Sequence, residues 1–362
     1  MKIRKICLLF ALCPLLITGC TNNSKGNEED NTPKEVYTIT MNKKSSKVGD
    51  KLYVSDFVVL DENSKPVDAS KLKIEDLNLF SPTKQTIKIV NEEENKFGRV
   101  ELTLEQRNSL KLLFFGNSYI QDSMLYSYQI AKNLGLEDVK ITHNFLSGAT
   151  LAQHLANIEA ANEMYTFEDY GEKKVSTTDV NYDYGLAQNE YDFIGFHNTS
   201  LYETIQSSYK DMDKIHEYCE NYYKDKANPN YLFNMSWSLQ EGNPDANFAK
   251  KWDSDTDKMY QAIVDGCIEG CSTREYINGI MPIGTAIQNM RKLVPSKTYN
   301  RDNTAHLNNE GSLVAGLTLV CFLTGKDPRN CTFDAGFGDE FLQNVKNAVS
   351  AALNNPYQII EG

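Results

Sequence analysis

A serine follows a short apolar run and opens a segment with helical periodicity. The run ends at Phe115 and is followed by Gly116, Asn117 and Ser118. A continuous apolar run of this length is typical of a strand that is buried on both faces of a parallel sheet. Ser118 would then lie at the carboxyl edge of the sheet, where open α/β sheets bind their ligands. The alternative is that Ser118 only caps the following helix.

A histidine and an acid near the other end of the chain could act together with Ser118. Asp302 and His306 lie in one short polar stretch, far from Ser118 in sequence. A serine hydroxyl becomes a nucleophile when a base removes its proton, and a third group usually orients that base. These residues therefore predict a Ser–His–Asp site that only the folded chain can assemble.

The pattern around these residues predicts the elements that must position them. From Leu110 onward, apolar strand-like runs alternate with helical stretches, which favours a doubly wound, mostly parallel sheet with helices on both faces. The five predicted strands are Leu110–Phe115, Val139–Phe145, Tyr191–Phe196, Tyr231–Met235 and Tyr276–Met281. Residues 165–190 break the rhythm and are rich in Tyr, Thr and Asp, so we expect a hairpin or lid-like insertion there.

The first third of the chain indicates three further segments. Basic residues and an apolar run from Ile6 to Ile17 predict a signal peptide over residues 1–19. The sequence then resembles a bacterial lipobox, so we expect Cys20 to carry a lipid that holds the protein to a membrane. Residues 20–35 are polar and predict a flexible tether. Residues 36–106 alternate in short runs between turn residues, which predicts a small Ig-like β-sandwich ahead of the α/β domain at 107–362.

Composition excludes several classes of function. The 362 residues carry a net charge of −12, and no basic cluster is present, so binding to nucleic acid is excluded. Five Cys would remain after removal of the signal peptide and lipidation, an odd number without metal-type spacing. We therefore predict no metal and no other cofactor; a Cys321–Cys331 disulfide stays open.

Five ordered blocks of the chain resemble the SGNH, or GDSL-type, hydrolase superfamily. The resemblance is strongest to a bacterial secreted branch known only as a domain of unknown function. The blocks are Gly116–Ser118, Ser147–His154, Tyr191–Ile194, Met281–Arg291 and Arg301–Leu307. The resemblance implies a flavodoxin-like α/β fold with a five-stranded sheet.

The resemblance also implies roles for single residues. Ser118 would be the nucleophile, His306 the base and Asp302 the acid that orients it. The oxyanion formed during acyl transfer would be stabilised by Ser118, Gly148 and a side chain of the third block, for which we favour Asn198 over His197. We expect substrate contacts from four further residues, namely Asn117, His154, His197 and Trp237. His154 could equally be a buried structural histidine, and Trp237 a core aromatic.

Two departures from the superfamily pattern bear on the site. Three residues separate Asp302 from His306 instead of the usual two, so Asn303 stands at the usual position. Either the loop bulges and Asp302 still reaches the ring, or Asn303 or a backbone carbonyl orients it. In the third block, His197 and Asn198 replace paired Gln.

These observations together predict a serine esterase that removes acetyl or other short acyl groups from carbohydrate outside the cell. The sugar part depends on family analogy, the expected location and aromatic richness. Two alternatives stay open. One is a non-catalytic glycan-binding lipoprotein on the same fold, and the other is a lipid or thioester hydrolase. The sequence does not indicate the acyl group, the sugar, the oligomeric state or which membrane holds the lipid.

Overall fold

The computed structural model describes residues 32–43, 45–224, 226–301 and 303–361. The predicted signal peptide, Cys20 and most of the tether lie outside these residues, as does Asp302. Among the described residues, no helix is both long and apolar enough to cross a bilayer.

The amino-terminal part consists of short strands, as the alternating pattern predicted. They are β1 Lys34–Glu35, β2 Thr38–Met41, β3 Phe57–Leu60, β4 Lys73–Glu75, β5 Gln85–Asn91 and β6 Lys96–Leu102. Four of them form one sheet in the order β1-β6-β5-β4, and β2 pairs with β3 in a separate ribbon. The last two residues of the predicted tether, 34 and 35, form β1 because they pair with β6. The Ig-like arrangement itself stays a prediction.

A seven-stranded sheet organises the rest of the chain. Its strands are β7 Ser109–Gly116, β8 Asp138–Phe145, β9 Tyr165–Tyr170, β10 Lys174–Val180, β11 Phe193–His197, β12 Asn230–Asn234 and β13 Ile277–Met281. The order is β10-β9-β8-β7-β11-β12-β13. The five strands predicted from apolar runs are present and run parallel to one another.

The predicted sheet has five strands, two fewer than the sheet in the structure. Residues 165–180 form the expected hairpin, and residues 182–187 form a short helix. The strand β9 pairs antiparallel with β8 and so extends the sheet at one edge. The sequence did not indicate this extension because β10 is exposed on both faces except at Val180 and therefore has no apolar alternation.

Helices cover both faces of this sheet. They are α1 Ser118–Met124, α2 Ser127–Asn133, α3 Leu151–Glu159, α4 Tyr182–Ala187, α5 Ser200–Glu203, α6 Met212–Tyr223, α7 Ala246–Trp252, α8 Thr256–Ser272, α9 Ile283–Leu293, α10 Asn309–Thr324 and α11 Asp339–Asn354. Side chains of α1, α2, α9, α10 and α11 build one core, and those of α3, α4, α6, α7 and α8 build the other. The α10 helix carries apolar residues on all its sides and is therefore buried along nearly its whole length.

The β-rich amino-terminal part packs against the end of the sheet opposite the site of Ser118. Phe80 stacks on Phe322 with ring centroids 4.4 Å apart. The side chain of Asn230, at the start of β12, donates a hydrogen bond to the carbonyl of Gly49 at 2.5 Å. This part of the chain therefore supports the amino ends of the strands and leaves their carboxyl ends open.

The five described cysteines, Cys219, Cys267, Cys271, Cys321 and Cys331, are buried and free. Cys321 and Cys331 thus form no disulfide in this structure. Cys267 and Cys271 lie one turn apart on α8 and are both buried. No group of three or more His, Cys, Asp or Glu within the described ranges is arranged to hold a metal ion.

Candidate active site

Ser118 is the first residue of α1, directly beyond the carboxyl end of β7. The helix cap is Asn117, whose side-chain oxygen accepts the Tyr119 N–H at 3.0 Å, so Ser118 does not serve as the cap. The Asn117 amide nitrogen donates to the Ala149 carbonyl at 2.9 Å. Asn117 was expected to contact substrate; instead it is fully buried and ties α1 to the loop that carries Gly148.

His306 reaches Ser118 across 188 residues of sequence. Its Nε2 lies 3.4 Å from the Ser118 hydroxyl oxygen. Catalytic contacts of this kind often shorten when substrate binds, which would bring the two atoms within range for proton transfer. The His306 side chain is 30% exposed and Ser118 is half-buried, so the pair faces solvent at the edge of the sheet. The structure therefore brings together the two residues that the sequence predicted as nucleophile and base.

The carboxylate that orients His306 comes from Asp122. Asp122 Oδ2 lies 2.9 Å from His306 Nδ1 and also accepts the Leu307 N–H at 3.0 Å. Its other oxygen accepts a hydrogen bond from the Arg301 guanidinium at 2.9 Å. Asp122 itself is only 8% exposed, whereas the side chain of its partner Arg301 is 55% exposed.

The predicted orienting residue was Asp302, but the structure gives this role to Asp122. Asp302 lies outside the described residues, but the His306 Nδ1 already has a carboxylate partner. Asn303, the other residue considered, lies exposed in the turn with a φ of 54° and makes no hydrogen bond to His306. The sequence did contain a signal: Ser118 and Asp122 are four residues apart on a predicted helix, a spacing that puts both on one face.

Buried polar groups hold the loop that carries His306. The carbonyl of Ala305 accepts hydrogen bonds from the Trp237 indole at 2.7 Å and from the Asn300 amide at 2.9 Å. The Arg291 guanidinium donates to Asn300 Oδ1 at 2.6 Å. Burial lowers the pKa of Arg291 to about 10, so it keeps its charge at neutral pH. These contacts fix the backbone next to His306.

Trp237 is therefore not a platform for a sugar. The ring is fully buried, and it packs against Tyr119 with centroids 5.1 Å apart. Tyr119 also lies 5.6 Å from the ring of His306. The core-aromatic alternative is the correct one, and the function of Trp237 is to support the histidine loop from below.

His154 and His197 also lie beneath the surface. His154 Nδ1 lies 3.0 Å from the Tyr165 hydroxyl, and His197 Nδ1 lies 3.2 Å from the Asn234 carbonyl. Burial lowers the pKa of each ring to about 3, so both are neutral at physiological pH. Both were expected to contact substrate, but each is at most 1% exposed and in this structure forms part of the core.

The predicted oxyanion donors divide into two that are accessible and one that is engaged elsewhere. Gly148 is exposed, has a φ of 63°, and has open space beside its Cα. The Ser118 N–H belongs to the first residue of α1 and has no partner within the helix. The Asn198 side chain is buried, donates to the Ser208 hydroxyl at 3.1 Å, and accepts the Thr199 N–H. Asn198 thus braces its own loop.

A buried carboxyl group joins two loops at the same edge of the sheet. Glu203, at the end of α5, accepts hydrogen bonds from the Ser236 hydroxyl at 2.6 Å and the Ser236 N–H at 3.0 Å. The group is fully buried, and this burial raises its pKa to about 8. Glu203 is therefore protonated at neutral pH, and sequence reasoning missed it because nothing in its neighbourhood marks it as buried.

The comparisons with known proteins agree with the fold. A family model described as a domain of unknown function, DUF4886, matches residues 111–351. The chain belongs to the DUF4886 family. A crystal structure of a DUF4886 protein from Bacteroides uniformis is 25% identical, with a TM-score of 0.64 over 70% of this chain and 98% of that chain.

A second solved structure is more distant from this DUF4886 chain. It is a candidate SGNH hydrolase from Slackia heliotrinireducens, 16% identical, with a TM-score of 0.35 over 59% of this chain and 97% of that one. At a TM-score this low, the likeness gives no information on the activity of the chain. No curated protein matches the sequence.

Titration of Glu203 predicts a pH-dependent stability. The ordinary pKa of this carboxyl is 4.5, and the folded value is about 8. Between these values the unfolded chain has released a proton that the folded chain retains. The free energy of unfolding should therefore fall as pH rises from about 4.5 to 8, by up to about 1.4 kcal/mol per pH unit from this group.

The Glu203→Gln variant keeps the shape of the side chain and cannot titrate. Urea unfolding of both proteins from pH 5 to pH 9 should show the variant gaining stability relative to the parent up to about pH 8. The difference should then level off. A difference that is constant over the whole range would mean that Glu203 is not protonated in the fold.

Proposed function

We propose that the protein is a serine hydrolase that cleaves esters through Ser118. The observation that carries the proposal is the continuous chain of contacts from Ser118 Oγ to His306 Nε2 and from His306 Nδ1 to Asp122. This is the arrangement that acyl transfer needs: a hydroxyl, a base within reach, and a buried carboxylate that orients the base.

The first half of the proposed reaction transfers the acyl group to the enzyme. His306 Nε2 removes the proton of Ser118 as its oxygen attacks the ester carbonyl carbon. The negative charge on the former carbonyl oxygen is stabilised by the N–H groups of Ser118 and Gly148. Collapse of the intermediate breaks the ester C–O bond, and His306 gives its proton to the departing alcohol. Asp122 stabilises the imidazolium ring that exists between these transfers.

The second half returns the enzyme to its starting state. Water takes the place of the alcohol, and His306 removes one of its protons as the oxygen attacks the acyl-enzyme carbonyl. The carboxylic acid leaves, and the proton returns from His306 to the Ser118 oxygen. No redox partner or cofactor enters this sequence of steps.

We further propose that the substrate is an ester of a carbohydrate carrying acetyl or another short acyl group. The predicted secretion supports this, since acylated polysaccharides are extracellular. The non-catalytic alternative depended on the long Asp302–His306 spacing and on His197 and Asn198 in the third block. The Asp122 contact removes the first of these two supports.

The nucleophile is tested by Ser118→Ala in the chain that starts at Thr21, which lacks only residues outside the described part. The parent should hydrolyse p-nitrophenyl acetate, and the variant should lose at least about 10³-fold in kcat because no hydroxyl remains to attack. Release of p-nitrophenol is followed by absorbance. Equal turnover by the two proteins would contradict the role of Ser118, and a folded parent without turnover would contradict the enzyme itself.

The orienting acid is tested by a matched pair of substitutions. Asp122→Asn and Asp302→Asn each remove one negative charge, the first from the carboxylate that contacts His306 Nδ1 and the second from the residue that the sequence predicted for this role. We expect Asp122→Asn to lower kcat by about 10²- to 10⁴-fold, since the amide cannot hold the ring in the required tautomer. Asp302→Asn should cost less than about tenfold in kcat. Steady-state rates on p-nitrophenyl acetate decide between them, and the reverse order of effects would restore Asp302 as the orienting acid.

We propose that lipid on Cys20 anchors the protein to a bacterial membrane, with the catalytic domain outside the cytoplasm. The basic start, the apolar run and the sequence Ile17-Thr18-Gly19-Cys20 support this. Expression of Cys20→Ala in a bacterial host should shift the protein from the membrane fraction to the soluble fraction or the medium. Cys331→Ala, which removes a buried thiol far from the amino terminus, is the control. Membrane retention of both variants would contradict a lipid on Cys20.

A further inference from the structure

Arg301 contacts the candidate catalytic group in two ways. Its guanidinium donates a hydrogen bond at 2.9 Å to Asp122 Oδ1, the carboxylate oxygen that does not contact the His306 ring. Its backbone N–H donates to the His306 carbonyl at 2.7 Å. One residue therefore binds both the orienting acid and the backbone of the base.

The loop that carries Arg301 and His306 is closed by backbone contacts alone. Asn300 and Leu307 form an antiparallel bridge, and the Asn308 N–H donates to the Tyr299 carbonyl at 2.9 Å. None of these contacts uses the Arg301 side chain. A substitution of that side chain therefore leaves the contacts that close the loop in place.

The Asp122 carboxylate is held through both of its oxygens. Oδ2 accepts hydrogen bonds from the His306 ring and from the Leu307 N–H, and Oδ1 accepts one from Arg301. The terminal torsion of an aspartate has a broad energy profile, so contacts at one oxygen leave the carboxylate free to rotate. The Arg301 contact opposes this rotation and keeps Oδ2 directed at His306 Nδ1.

The charge of Arg301 acts on the same pair. A guanidinium stays protonated at every pH at which a histidine titrates, so Asp122 always faces one cation and faces a second when His306 is protonated. Arg301 therefore opposes protonation of the His306 ring, by an amount that solvent reduces because its side chain is 55% exposed. Tyr119 also faces His306, with ring centroids 5.6 Å apart, but burial raises its pKa and keeps it neutral.

Other charged groups on the surrounding elements do not supply this effect. Lys174 and Lys297 are paired with Glu168 and Glu310, respectively. Further charged side chains on the hairpin, on the loop before α7 and on the histidine loop are carboxylates, namely Glu172, Glu241, Asp245 and Asp302. Their sign is opposite to that of Arg301, so they favour protonation of a nearby ring.

We propose that the Arg301 side chain is a positioning residue of the hydrolase. It holds the Asp122 carboxylate toward His306, and its charge keeps the ring unprotonated, and so active as a base, at lower pH. The inference rests on the hydrolase function proposed above and adds a fourth side chain to the group formed by Ser118, His306 and Asp122.

The test measures kcat/KM for p-nitrophenyl acetate from pH 5 to pH 9 in the parent, Arg301→Met and Arg301→Lys, because this ratio reports the base in the free enzyme. In Arg301→Met the plateau of kcat/KM should fall at least about fivefold, since the carboxylate is no longer held toward the ring. The midpoint of the acid limb should rise by about 0.3–1 pH unit, since the opposing charge is gone. Arg301→Lys keeps the charge, so its midpoint should stay within about 0.2 pH unit of the parent value.

The matched control is Arg329→Met, which removes an exposed arginine paired with Asp327 near Phe80, at the opposite end of the sheet. It should match the parent in both quantities, and circular dichroism confirms that each variant is folded. A profile of Arg301→Met equal to that of the parent would overturn the inference. So would a change in only one of the two quantities, or a midpoint in Arg301→Lys equal to that in Arg301→Met. A parent that does not cleave the ester, or cleaves it no faster than Ser118→Ala, would instead overturn the hydrolase function on which the inference rests.

Discussion

The hydrogen bond between Asp122 and His306 is the interaction on which the proposed site depends. It joins α1 to the loop before α10, which are separated by 184 residues of sequence. Asp122 accepts hydrogen bonds from the His306 ring, the Leu307 backbone and the Arg301 side chain. One carboxylate therefore fixes both the ring and the backbone that carries it. Because Ser118 lies one turn earlier on the same helix, α1 supplies two of the three groups and the loop has to deliver only the base.

The remainder of the site keeps that loop in place. A buried series of hydrogen bonds ends on the carbonyl of Ala305, next to His306. It is formed by the side chains of Trp237, Asn300 and Arg291. Pre-organised groups of this kind are needed because a displacement of about 1 Å at a catalytic group can cost about 10²-fold in rate. Aromatic and charged residues near strand ends resemble substrate contacts in the sequence. Because these residues are buried, they support the site instead of contacting substrate.

The sequence predicted the parts of the structure that are marked by local patterns. Apolar runs identified the five parallel strands, and the strand–turn–helix pattern placed Ser118 at the sheet edge. The acid was missed because Asp302 is close to His306 along the chain, whereas Asp122 is close to it only in space. Trp237, His154 and His197 were assigned to the substrate because residue type does not reveal burial. The β9–β10 hairpin was expected, but its pairing with β8 depends on tertiary contacts that periodicity cannot show.

Nitrogen-15 NMR of the histidine rings tests the central claim most directly. If Asp122 holds His306 by Nδ1, neutral His306 in the parent protein carries its proton on Nδ1 and presents an unprotonated Nε2 to Ser118. The His306→Gln variant assigns the signal among the five histidines of the chain. The account predicts the Nδ1–H tautomer in the parent and its loss in Asp122→Asn. An Nε2–H tautomer in the parent, or a spectrum that Asp122→Asn leaves unchanged, would contradict it.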